Sequence, residues 1–217
     1  MNEDICVTGI KELDESIGGG FDKGSLVLLE GKPGVGKSIF ASKFIYYGAC
    51  KFNEKGLYVS FTVSKKVFYR HMASLDMDFV SLEEKGLFKF LDLPTVVDKN
   101  ALKSIFNSII ESLVEFNAQR FVIDPITPLV SILNPIELRA TLHNLLKRYI
   151  EEFDVTALLI ANTNSHEDRE IHSIVEFIAD VVLRMHLIRD NNNVIRQIEI
   201  VKFRGRRIRR HFIQFSI

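Results

Sequence analysis

The octapeptide Gly31-Lys-Pro-Gly-Val-Gly-Lys-Ser38 follows directly on the apolar run Ser25-Leu-Val-Leu-Leu-Glu30, and it restricts the fold of this chain more than any other segment. It satisfies G-x-x-x-x-G-K-[ST] in full. Such a loop needs a buried strand before it and a helix after it. Its glycines let the backbone turn successive N–H groups inward around an anion, and the helix adds its positive N-terminal end. The flanks supply both, because Ser25–Glu30 reads as a buried strand and Ile39–Tyr47 carries apolar residues all round, as a helix packed on a sheet would. The motif predicts an ATP site wrapped by Gly31, Pro33, Gly34, Val35, Gly36, Lys37, Ser38 and Ile39. In it Lys37 reaches the β- and γ-phosphates and the Ser38 hydroxyl ligates Mg2+.

Alternation continues downstream. Strands are predicted at 56–61, 87–91, 120–124 and 156–161, with helices at 67–75, 100–116, 137–153 and 171–179 between and after them. In the helix from Asn100, apolar Leu102, Ile105, Phe106, Ile109, Leu113 and Phe116 recur at three- and four-residue spacing. The last forty or so residues change character, with strands predicted at 181–188, 194–202 and 208–217 and a turn at Asn191–Asn193. Continuous apolar strands alternating with helices imply a mostly parallel sheet covered on both faces. The fold class expected is α/β, one domain over residues 1–217, with C-terminal antiparallel strands extending the sheet. Asp124 ends an apolar strand about ninety residues after the loop, where a carboxylate can hold Mg2+ through water. Paired with Ser38 it forms the expected metal set.

Composition narrows the partners. Lys+Arg and Asp+Glu both number 28, so no global field draws the protein to nucleic acid or membrane. No run approaches the ~18 apolar residues of a membrane span, two cysteines do not make a disulfide framework, and the acidic N-terminus is not a secretory signal. A cytoplasmic protein is expected. Lys202, Arg204, Arg206, Arg207, Arg209 and Arg210 gather near the C-terminus without an acid. They suit a phosphate backbone on a hairpin turn at 205–207, but equally an oligomer interface. Phe203 and Phe212 are expected to face the core, which leaves few stacking partners for single-stranded DNA.

At this point the chain resembles the KaiC/RadA branch of the RecA superfamily over nearly its whole length. The P-loop is preceded by Thr8-Gly9-Ile10, Leu13-Asp14, Gly18-Gly-Gly20 and Gly24-Ser25. Phe121-Val-Ile-Asp124 is similar to the branch's magnesium strand, and Ala161-Asn-Thr-Asn164 sits where members keep a polar sensor. Phe177-Ile-Ala-Asp180 and Lys202-Phe-Arg204-Gly205 resemble its F-x-A-D and K-x-R-G elements. The likeness implies a RecA-like P-loop domain, of the kind found in single-domain archaeal KaiC-like proteins or RadA paralogues. It also implies homo-oligomers with nucleotide between subunits; the other state that ATP would favour is one bound to a protein partner. Lys202 and Arg204 would project toward the nucleotide of the adjacent subunit, as catalytic cations beside Lys37 and Asp124. With its first motif at Thr8, the chain is not expected to carry an N-terminal DNA-binding domain. The segment from Asn164 to about Glu170, including His166, Glu167 and Asp168, is net acidic where recombinases keep a DNA-binding loop.

One departure stands out. Where the branch carries T-F-E-E-S, this chain reads Ser60-Phe61-Thr62-Val63-Ser64, so Thr62 and Val63 replace the two glutamates. Neither is a base at neutral pH, and losing a positioned base costs about 10²–10⁴-fold in rate. Glu30 is the nearest alternative acid by sequence. The expectation is an ATP-binding switch with weak or absent hydrolysis. The alternatives are an active ATPase with an unrecognised base, and a recombinase accessory that binds single-stranded DNA.

Overall fold

The computed structural model describes residues 4–94, 98–163, 169–190, 193–208 and 210–216. The chain enters through a two-stranded antiparallel sheet, β1 (Ile5–Cys6) and β2 (Phe21–Asp22), with helix α1 (Lys11–Ile17) between them. The main body then runs β3 (Leu26–Gly31), α2 (Lys37–Phe52), β4 (Gly56–Ser60), α3 (Lys65–Ala73), α4 (Phe79–Glu84) and β5 (Phe88–Asp92). It continues through α5 (Lys99–Phe116), β6 (Arg120–Asp124), α6 (Thr127–Val130), α7 (Pro135–Thr141), a π-helical stretch at Leu142–Lys147 and α8 (Arg148–Glu152). Last come β7 (Thr156–Asn162), α9 (Arg169–Ile178), β8 (Val181–Asp190), β9 (Asn193–Phe203) and β10 (Phe212–Phe215).

Eight strands form one sheet in the order β10-β9-β8-β3-β7-β6-β4-β5. β3 pairs parallel with both β7 and β8, and only the C-terminal β8-β9-β10 meander is antiparallel. Side chains alternate across this sheet. Val27, Leu29, Tyr58, Val122, Leu158 and Ile160 pack with Phe40 and Phe44 of α2 on one face. Leu26, Leu28, Leu57, Val59, Phe121, Ile123 and Leu159 pack with α5 to α9 on the other. Continuous apolar strands are the signature of such two-sided cover, and the expected α/β architecture is the one observed.

Local chemistry sets the element ends. The Asp98 carboxylate caps α5 by accepting from the N–H groups of Asn100 and Ala101 at 2.8 and 2.9 Å. Leu102, Phe106, Ile109 and Leu113 form its buried stripe, and Asn117 closes it in the left-handed conformation at φ 52°. The helix expected at 137–153 begins at Pro135 behind an Asn134/Glu137 capping box. Its middle is π-helical over Leu142–Lys147. Some expectations change. The last strand contracts from 208–217 to Phe212–Phe215, and α1, α4 and α6 appear where no helix was expected. Phe212 stands out at 57% exposure, because Ile213 and Phe215 are the residues of β10 that turn to the core. Asn164, His166, Glu167, Asp168, Asn191, Asn192 and Arg209 lie outside the described residues. Among those described, no helix is long and apolar enough to cross a membrane.

Arg120, at the start of β6, is fully buried. Its Nε donates to Glu54 at 2.6 Å, and Nη1 donates to the carbonyls of Val7 and Phe44 at 2.8 and 2.7 Å. The guanidinium also lies 4.6 Å from the Phe44 ring centroid. One side chain thus ties the N-terminal segment, α2 and β6 together. It fits only because position 48 is glycine, where a Cβ would stand 2.0 Å from Arg120 Nε. Gly48→Ala is therefore expected to cost about 3 kcal/mol by overpacking, a drop of roughly 6–12 °C in melting temperature. Thermal and urea unfolding against wild type measure it.

Candidate functional site

The strand-loop-helix unit predicted from the octapeptide is present, and α2 begins earlier than expected, at Lys37 inside the motif itself. Gly31, Gly34 and Gly36 hold positive φ angles of 155°, 84° and 106°, backbone geometry that a side chain disfavours. A Cβ at Gly31 would meet the Met185 carbonyl oxygen at 2.7 Å, so the start of the loop is wedged against β8. Val35 is buried and Ile39 half-buried beneath the loop, whereas Pro33, Gly34 and Ser38 are exposed on its rim. The rim is open to solvent and the base is closed.

Lys37 is 7% exposed, and its Nζ donates to the carbonyls of Gly31 and Lys32 at 2.8 and 2.9 Å. Burial pushes its pKa below the usual lysine range, and the charge of Asp124 opposes that shift. A buried cation arched over a ring of backbone groups has the chemistry of an anion cradle. Asp124 ends β6, and β-alternation turns it to the α2 face, since Val122 packs there. Its Oδ2 accepts the Tyr58 hydroxyl at 2.6 Å. Burial first, and the Asp124 carboxylate second, push the Tyr58 phenol well above its ordinary pKa. The hydroxyl of Ser38 and the carboxylate of Asp124 are hard oxygen donors, too few to cage a cation alone but suited to one that also takes phosphate oxygens and water.

The structure places the other predicted residues in two groups. Ser60 pairs in register with both Asp124 and Asp92, so these three C-terminal strand ends share the α2 face. Asn162, opposite Gly31, joins them from β7. Ser60 Oγ accepts the backbone N–H of Val63 at 3.0 Å, which closes the turn and leaves Thr62 exposed. Glu30 takes the opposite face. It is 2% exposed and bound to Arg184 at 2.5 Å, while Arg184 also meets Glu176 at 3.4 Å. The carboxylate nearest the loop by sequence is thus behind the sheet, away from Lys37.

Lys202 and Arg204 are not gathered at Lys37. Lys202 Nζ donates to the carbonyls of Glu176, Phe177 and Ala179 at 2.7, 3.0 and 2.6 Å. Arg204 donates to Phe177 O at 2.6 Å and reaches Asp180 at 3.5 Å. Both cap the C-terminal end of α9, where helix carbonyls favour cations. Burial, then the neighbouring Arg204, hold the Lys202 pKa below its ordinary value. In the basic hairpin Arg206 is committed to the carbonyls of Ile17 and Gly20 and to Asp22, whereas Arg207 and Arg210 are exposed.

Tyr58 escaped the sequence reading. Period-two alternation puts it on one face with Ser60, but only strand pairing reveals that this face holds Asp124. Asp180 also gains a role, since its carboxylate accepts the Leu26 N–H at 2.9 Å and Lys147 Nζ at 2.7 Å.

Comparison with known proteins agrees with this geometry. A sequence model of the family described as "ATPase: KaiC" matches residues 6–217. The UPF0273 protein MJ1359 of Methanocaldococcus jannaschii is 30% identical over 211 residues, covering 91% of this chain and 86% of its own. The circadian clock oscillator protein KaiC of Acaryochloris marina is 27% identical over 209 residues, and the matched part is 38% of that longer protein. The crystal structure of the KaiC-like protein PH0186 from Pyrococcus horikoshii superposes with a TM-score of 0.82 at 30% identity, covering 98% of this chain and 95% of that one.

The Glu30–Arg184 pair generates a stability prediction. Arg184→Ala removes the guanidinium from a carboxylate that is 2% exposed and is expected to destabilise by roughly 2–3 kcal/mol, near the low end for a broken buried pair because the arginine is partly solvated. Chemical denaturation of Arg184→Ala, Glu30→Gln and the double variant checks it. The double variant should lose less than the sum of the two single losses.

Proposed function

Because this chain belongs to the KaiC family of ATPases, we propose that it binds ATP and magnesium at Gly31–Ser38, hydrolyses ATP weakly or not at all, and uses the bound triphosphate to favour assembly. The observation that carries the reading is a complete cradle beside an incomplete catalytic edge. Lys37, Ser38 and Asp124 converge on the α2 face, while exposed Thr62 and half-buried Val63 hold the positions of the missing glutamates. Magnesium, held by Ser38 and Asp124 together with the phosphates, would supply charge neutralisation. Lys37 would meet the phosphates by exchanging its two carbonyl acceptors for charged oxygens. Glu30 is a poor substitute base because it lies behind the sheet in its pair with Arg184.

The experiment is phosphate release and fluorescent ATP-analogue binding on one set of variants. Lys37→Ala should weaken analogue binding by about 2–5 kcal/mol. Wild-type turnover should be well below about one per minute. Thr62→Glu with Val63→Glu should raise it at least about tenfold, a barrier change of only ~1.4 kcal/mol. Brisk wild-type turnover that Lys37→Ala abolishes would overturn the weak-hydrolysis reading.

Assembly follows from Lys202 and Arg204. We propose that they leave the α9 carbonyls for the γ-phosphate bound by an adjacent copy, since charge-assisted bonds to phosphate are stronger than those to neutral carbonyls. ATP should then promote oligomers more than ADP does, and Lys202→Ala with Arg204→Ala should remove that difference. Size exclusion with light scattering in the apo, ADP and ATP forms decides it, and identical distributions in all three would refute the switch.

A further inference from the structure

Tyr58 is a tyrosine where packing alone would accept phenylalanine. Its ring is 1% exposed and clusters with Phe68 and Phe90, with centroids 4.8 and 5.6 Å away and the Phe90 ring near-parallel at 11°. Burying a hydroxyl in such a place is unfavourable unless it is hydrogen-bonded. This hydroxyl has one hydrogen, and it goes to Asp124 Oδ2 at 2.6 Å.

The Tyr58 oxygen also has the Ser38 and Ser42 side chains as hydrogen-bonding neighbours. Their hydrogens can be followed. Ser42 donates its hydrogen to the Ser38 carbonyl at 2.8 Å, so it has none left for the phenol. The Ser38 hydroxyl is different. A serine that lends a lone pair to a cation must send its hydrogen to another acceptor, and the Tyr58 oxygen has lone pairs available.

We infer that Tyr58 is a positioning residue for the magnesium ligands, accepting from Ser38 and donating to Asp124 so that both turn free lone pairs toward one point. The phenol itself touches neither metal nor nucleotide. It acts as a rigid outer partner held by aromatic packing, in the way second-shell groups orient metal ligands. Asp124 arrives from β6 and Ser38 from α2, and Tyr58 on β4 is the group that links the two. This inference rests on the magnesium-ATP reading above.

The test is magnesium titration of fluorescent ATP-analogue binding for wild type and Tyr58→Phe, which keeps the ring and removes only the hydroxyl. Half-saturating magnesium should rise about tenfold in Tyr58→Phe, while analogue affinity in EDTA stays unchanged. A purely structural tyrosine would shift both affinities together or neither. In an Asp124→Asn background, removing the Tyr58 hydroxyl should add much less than it does in wild type. Asp124 is half-buried and reachable by water, so Tyr58→Phe should stay folded, and its melting curve verifies that. A folded Tyr58→Phe with half-saturating magnesium within about twofold of wild type would overturn the inference while leaving nucleotide binding intact. Wild-type binding that ignores magnesium, or that survives Lys37→Ala, would instead overturn the parent reading and this one with it.

Discussion

The seating of β3 between β7 and β8 is the constraint on which the C-terminal edge of the sheet depends. At its start, Asp180 and Leu26 exchange bonds: the Asp180 N–H donates to the Leu26 carbonyl at 2.8 Å, and its carboxylate accepts the Leu26 N–H at 2.9 Å. At its end, Gly31 presses on the Met185 carbonyl so closely that no side chain fits. One grip comes from the turn between α9 and β8 and the other from within β8 itself. The loop after Gly31 therefore starts from a point fixed on either side, and the chain has little freedom except to arch over the sheet into α2. A flexible loop would lose much of its binding energy in being ordered, and this one is ordered by its neighbours.

Alternation by one residue then divides the chemistry. Glu30 and Gly31 are adjacent, yet Glu30 joins Arg184 on one face while the cradle opens on the other. On the α2 face, Tyr58, Ser60 and Asp124 come from strands that are neighbours in space but far apart in sequence. That face is rich in hydroxyls and carboxylates that position groups, and Thr62 and Val63 bring no base to it. The residues of the loop and those of the turn after β4 are thus separate sets, and a change in one need not disturb the other.

Much of this was legible in the sequence because it is written in local pattern. The octapeptide, the apolar runs and the stripe of α5 each carry their meaning within twenty residues. What escaped was nonlocal. Tyr58 looks like any strand aromatic until β4 is placed beside β6, and Arg120 looks like a surface charge until Gly48 makes room for it. Phe212 was misassigned because a short edge strand gives no sign of which parity faces inward. Lys202 and Arg204 are legible as a pair of nearby cations, but their acceptors on α9 belong to a packing contact that no spacing rule encodes.

Arg120 also acts as the pivot of a calliper. It sits at the root of β6 and bonds the Phe44 carbonyl in the middle of α2, so two legs run from one pin. One leg is β6, ending at Asp124 roughly 13 Å away at strand rise. The other is α2, which runs back to Lys37 over roughly 10 Å at helical rise. A rotation of about five degrees at the pin would shift either tip by nearly 1 Å, enough to cost on the order of a hundredfold in a reaction that needs aligned groups. The spacing of the charges on Lys37 and Asp124 is thus set at the far side of the core, by a buried guanidinium that touches neither of them.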